Sequence, residues 1–246
     1  NIPIGIATAV MAIRLVHKDK GIGLAGGADL PGAVLIVSSL MLGVYTIVSP
    51  AEQKGWGDPL TLGLGALTLL LLAAFIWREA TAKNPLVPLR IFRSRNVSGA
   101  NIVQALSVVG MFGVFFMGAL YLQRVLGYDA LETGLAFLPT TICIGTLSLR
   151  YSERLITHFG GQRVTIAGLV SMVIGLVIFT TAPVDGGYFL HGFPVMVFLG
   201  LGAGMAFPAL AALAMSGATP QDAGLASGLV NTSAQVGGAI GLALLA

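Results

Sequence analysis

The chain has 246 residues, a net charge of +3 and a hydrophobic fraction of 56%, with only 9% of residues charged. Its mean hydropathy is +0.91, which excludes an ordinary soluble domain, where about a quarter of residues carry charge. The one cysteine, Cys143, excludes a disulfide framework and a Cys-rich metal site.

An apolar run of roughly 20 residues can cross the ~30 Å hydrocarbon core of a bilayer. In chain order the runs predict an incomplete span at Ile2 to Ile13, then spans at Leu30 to Val48, Leu60 to Trp77, Ser98 to Leu122, Thr133 to Leu149, Val164 to Ala182, Phe189 to Met215 and Ala223 to Ala246. None shows the period-two alternation of a barrel strand, so the expected fold class is an all-α polytopic membrane protein. The chain starts at Asn1 rather than Met and its last run has no closing loop. The expectation is an internal piece of a longer protein, without a signal peptide.

If the spans alternate across the bilayer, Arg14, Lys18, Lys20, Arg78, Lys83, Arg90, Arg93, Arg95, Arg150, Arg154 and Arg163 share one side, and Lys54 and Arg124 the other. Eleven basic residues against two predict that the first side is cytoplasmic. The linker NPLVPLRIFRSRNVSG, residues 84–99, lies on that side. A basic run also suits nucleic acid, but arginines between spans must in any case sit at the surface, since each would cost about 2.5–3.5 kcal/mol at mid-bilayer. No nucleic-acid partner is expected. Leu86, Leu89 and Phe92 recur every three positions, as a short interfacial helix requires, with Arg90, Phe92, Arg93 and Arg95 as anchors.

Polar side chains inside spans are costly unless they pair or face a wet cavity. On Ser98 to Leu122, Gln104, Ser107, Met111 and Gly118 share a narrow arc with Asn101 at its edge, which suits an adaptable cavity as well as plain packing. On the last span, Gly224, Gly228, Asn231, Gln235 and Gly238 share one face, fit for close helix approach or for a transport path. The glycines Gly200, Gly204, Gly224, Gly228, Gly237 and Gly241 are read as packing positions. The G-x-G-x-G at Gly200 to Gly204 follows no strand, so it is not a dinucleotide site. His17, His158 and His191 show no ligand spacing, and neither a metal nor a cofactor is expected. No Asp or Glu lies inside a complete span, so a proton-coupling carboxylate is not on display.

The ordered string NIPIG, DLPGA, WGDP, NPLVPLRIFRSRN, VLGYDALETGLAFLP, HFGGQRV, GAGMAFPAL and DAGLASGLVNTSAQVGGAIG resembles the major facilitator superfamily, and most closely its 14-span drug:proton antiporters of the EmrB/QacA type. That resemblance implies the end of a first helical bundle at 1–16, a loop with two inserted helices and a basic linker at 17–96, and helices nine to thirteen of a second bundle at 97–246. It implies export of amphipathic or cationic compounds by proton antiport through alternating access in a bacterial inner membrane, without catalysis. The implied partners are the lipid bilayer, a small amphipathic substrate and protons, a periplasmic adaptor being left open. Glu153, Thr157, Gly160 and Arg163 would be a degraded second-bundle copy of the family's loop signature, with Glu153 in place of Gly and Thr157 in place of Asp. An exporter dedicated to one endogenous metabolite is the alternative, and a membrane-embedded hydrolase a remote one.

Overall fold

The computed structural model describes residues 2–15, 29–183, 186–219 and 221–245, and all regular structure among them is helical. Asn1, His17, Lys18, Lys20 and Ala246 lie outside the described residues.

Helix α1, Ile2–Leu15, buries none of its residues. Helix α2, Leu30–Thr46, starts at Asp29, whose carboxylate accepts the Gly32 N–H at 3.0 Å, with Pro31 in the first turn where no donor is needed. It runs on through a wider turn at Ile47–Ala51, where Pro50 lacks an N–H, into α3, Glu52–Lys54, and stops at Gly55 with φ of 85°. Asp58 caps α4, Pro59–Thr81, by accepting the Leu60 N–H at 2.9 Å. A single 3-10 turn, Leu89–Arg93, precedes α5, Arg95–Leu120, which continues as a wide turn at Tyr121–Val125.

The span expected at Thr133 to Leu149 differs from its prediction. It begins earlier, at α6, Ala130–Ala136, where Asp129 and Glu132 form a reciprocal capping box. The helix breaks at Phe137, two residues before Pro139, and resumes as α7, Leu138–Thr146, which passes through Leu147–Tyr151 into α8, Ser152–Phe159. Gly160, at φ of 82°, turns the chain into α9, Gly161–Thr180. The turn Tyr188–Gly192 leads into α10, Phe193–Ser216, and α11 spans Ala223–Leu245. Six helical stretches, Leu30–Ala51, Pro59–Thr81, Arg95–Val125, Ala130–Phe159, Gly161–Thr180 and Tyr188–Ser216, are long and apolar enough to cross a membrane.

Helix α10 is the centre of the packing, touching α9, α7, α5 and α11, while α5 and α11 form a second pair and α2 and α4 a third. Backbones come close because side chains are missing at the seams. A Cβ on Gly202 would lie 2.6 Å from the Gly168 carbonyl of α9, and one on Gly200 would lie 2.7 Å from the Thr140 carbonyl of α7. Hydroxyls tie the same seams, Thr140 donating to Met196 O at 2.9 Å and Ser171 to Phe198 O at 2.8 Å.

Contacts at the helix termini divide the molecule into two ends, as alternation requires. At one, Arg78 meets Asp29, Arg90 meets Asp222, and Gly217 abuts Ser94 and Asn96. At the other, Tyr121 donates to Pro183 O at 2.9 Å and Tyr188 to Ala136 O at 2.6 Å.

Candidate functional site

The polar residues of α5 do not converge on one cavity. Asn101 is buried in the α5–α11 seam, where its Nδ2 donates to Val97 O at 2.8 Å and its Oδ1 accepts the Ser233 hydroxyl of α11 at 2.7 Å. Gln104, one turn on, is buried and its Oε1 has no partner among the described residues. Ser107 and Met111 line a groove of about 370 Å³ against Leu169, Met172 and Leu199 of α9 and α10. Gln235 lies in a different groove of about 600 Å³, where Thr232, Gln235 and Val236 of α11 face Met41, Val44 and Tyr45 of α2. Asn231 is exposed, and its Nδ2 donates to Ser227 O of its own helix at 3.2 Å.

The small residues of α11 split into two sets. A Cβ on Gly237 would sit 2.9 Å from Ala105 Cα, one on Gly241 2.9 Å from the Val109 carbonyl, and one on Gly238 3.2 Å from the Phe112 ring, so these three face α5. Gly224 and Gly228 have nothing within 4 Å, so the close packing expected of them is not met among the described residues. Gly204 abuts Leu147 and Cys143, as Gly200 abuts Cys143 and Thr140.

The stretch Glu153 to Arg163, expected as a loop, is helical on both sides of Gly160, whose positive φ completes the reversal in one residue. Glu153, Thr157 and Arg163 are exposed, and the Thr157 hydroxyl is spent on Glu153 O at 2.9 Å. Those side chains form no charge relay among the described residues. The basic linker is held from beneath: Ile91 packs with Val97, Ala100, Leu210, Ala214, Ala226 and Val230, while Arg90 reaches Asp222 at 3.3 Å. Phe92, Arg93 and Arg95 are exposed, where an anchor would lie.

Sequence reasoning passed over the group at the start of α2. Asp29 pairs with Arg78, Oδ1 to Nη2 at 2.9 Å and Oδ1 to Nε at 3.1 Å, and its side chain is 2% exposed. Glu79 is also buried; its Oε2 accepts the Val87 N–H of the linker at 2.8 Å, and its Oε1 has no partner among the described residues. Both carboxylates crowd Gly32, where a Cβ would lie 2.7 Å from Asp29 Oδ2 and 2.9 Å from Glu79 Oε1. The hydrogen bond from Arg78 is the main reason the Asp29 carboxyl lies below its ordinary value, with the Gly32 N–H adding to the effect. The signal was present as an Asp before Leu-Pro at one helix start and an Arg-Glu pair 49 residues on, at the end of the next.

Comparison with known proteins places this architecture. The chain is 35% identical to a cephamycin export protein of Amycolatopsis lactamdurans, with all of the chain and 51% of that protein aligned. It is 34% identical to a puromycin resistance protein of Streptomyces alboniger, covering all of the chain and 48% of that protein. It is 30% identical to a tetracenomycin C resistance and export protein of Streptomyces glaucescens, over all of the chain and 45% of that protein. The chain thus spans about half the length of the curated relatives it matches. With its apolar helices and bacterial relatives, it is a multi-pass protein of a bacterial membrane. The Major Facilitator Superfamily profile matches residues 3–242, and the chain is a member of that superfamily.

Proposed function

We propose that the chain forms about half of an exporter that expels amphipathic or cationic drug-like compounds in exchange for protons, by alternating access. The observation that carries the reading is the groove of about 600 Å³ between α2 and α11. It is of drug size, mostly apolar, contains Met41, and offers only Tyr45, Ser49, Thr232 and Gln235 as polar contacts. On this reading residues 1–16 close one bundle, 17–96 carry the inserted helix pair and 97–246 form most of the second bundle. In support, α1 buries nothing, whereas α5 to α11 share packed seams. The basic end faces the cytoplasm, with Arg90, Phe92, Arg93 and Arg95 at the inner leaflet.

A second reading, export of a single compound, is favoured by relatives that are each named for one antibiotic. Efflux of several unrelated dyes from cells expressing the full-length transporter, with and without a protonophore, tests both. Extrusion of several dyes that stops with the protonophore is the expected result. Extrusion of one compound alone selects the second reading, and no extrusion overturns both. Within the assay, Gln235→Leu is expected to alter the profile of extruded dyes severalfold with membrane protein level unchanged.

A further inference from the structure

At the end opposite the basic linker, the start of α6–α7 and the start of α10 enclose a groove of about 440 Å³. Its wall carries four aromatic rings, Tyr128, Tyr188, Phe189 and Phe193, together with the carboxylate of Glu132. Tyr188 is the pivot, its hydroxyl fixed on Ala136 O and its ring meeting Phe189 at 5.4 Å and 73°, Phe193 at 6.4 Å and 77°, and Tyr128 at 6.3 Å and 46°. Rings set at such angles present faces in several directions around one space. Phe189 is 82% exposed.

Aromatic faces attract a cation through their quadrupole, and a carboxylate beside them selects for positive charge. Glu132 serves the capping box through Oε2, which accepts the Asp129 N–H at 3.0 Å. Among the described side chains the charge at this end has the same sign by one, with Asp58, Asp129 and Glu132 against Lys54 and Arg124. We infer that Tyr128, Tyr188, Phe189, Phe193 and Glu132 form a binding site for a lipophilic organic cation, a quaternary ammonium, phosphonium or protonated amine. The occupant is a dissolved substrate rather than the ammonium headgroup of a lipid. The inference gives the export reading a site for its cationic substrates at the far end of the path, and its binding test stands apart from that reading.

The probe is tetraphenylphosphonium, titrated into the full-length transporter in detergent. Two variants leave the fold in place: Glu132→Gln, because Gln caps equally well at that position, and Phe189→Leu, because the ring is so exposed. Each is expected to weaken tetraphenylphosphonium binding roughly threefold to tenfold, and the pair roughly thirtyfold, at unchanged melting temperature. Unchanged affinity in both variants overturns the site. Should a variant melt early, a benzophenone-bearing quaternary ammonium crosslinked to the wild-type protein decides. Labelling within 128–142 or 188–193 supports the site, and labelling only elsewhere overturns it. In nanodiscs, abolition of tetraphenylphosphonium binding by phosphatidylethanolamine would assign the rings to headgroups and overturn a dissolved occupant. Binding that depends on Glu132 in a transporter that extrudes no dye would overturn the export reading and leave the cation site standing.

Discussion

Gly202 shows what a single missing side chain does in this protein. A Cβ there would meet the Met172 side chain, which can shift, but also the Gly168 carbonyl at 2.6 Å and Met172 N at 2.9 Å on α9, which are backbone and cannot. Gly202→Ala should therefore lower stability by about 1–3 kcal/mol, read as an earlier melt of the purified protein in detergent, whereas Gly224→Ala, which meets nothing, should leave the melt unchanged. Asn101 belongs to the same scale. A double-mutant cycle on Asn101→Ala and Ser233→Ala should return a coupling of about 0.6 kcal/mol, the usual worth of such a bond between membrane helices. That Gly200, Gly204 and Asn101 stand out within their apolar spans was legible in the sequence. Which neighbour each would meet was not, because helical periodicity orders residues only around their own axis, and packing and cavity faces both look small and polar.

At the scale of elements, the pair α2–α4 is closed at its basic end by the Asp29–Arg78 ion pair, while Glu79 ties α4 to the linker through the Val87 N–H. Asp29→Asn should loosen that closure. Because the folded pKa of Asp29 is below its ordinary 3.8, the stabilisation is fully present above that value and disappears as the pH falls through the lower, folded one. The melting temperatures of wild type and Asp29→Asn should accordingly differ near neutrality and converge as the pH falls below 3.8. The existence of each membrane helix was legible from its apolar run, but the ends were not. Hydropathy marks where the bilayer stops, while α7–α8 continues to Phe159, past Arg150 and Arg154, until Gly160 turns the chain. The break at Phe137 follows from Pro139, whose effect a hydrophobic count does not register.

For the whole molecule, the charge tally makes a prediction about orientation. In a Cys143→Ala background, a membrane-impermeant maleimide added to intact cells should label Lys54→Cys and spare Arg154→Cys until the cells are permeabilised; the reverse pattern would invert the topology. The partition into two ends was legible from the basic residues alone, since it needs only the count of spans. The grooves were not, because each is built from helices far apart in the chain. The Asp29–Arg78 pair also implies an order in time. Its partners are 49 residues apart, so at about 5–20 residues per second the carboxylate waits roughly 2 to 10 s for its guanidinium to be synthesised. During that interval Asp29, just outside the span that begins at Leu30, has water in place of Arg78, and only the completed α4 supplies its partner.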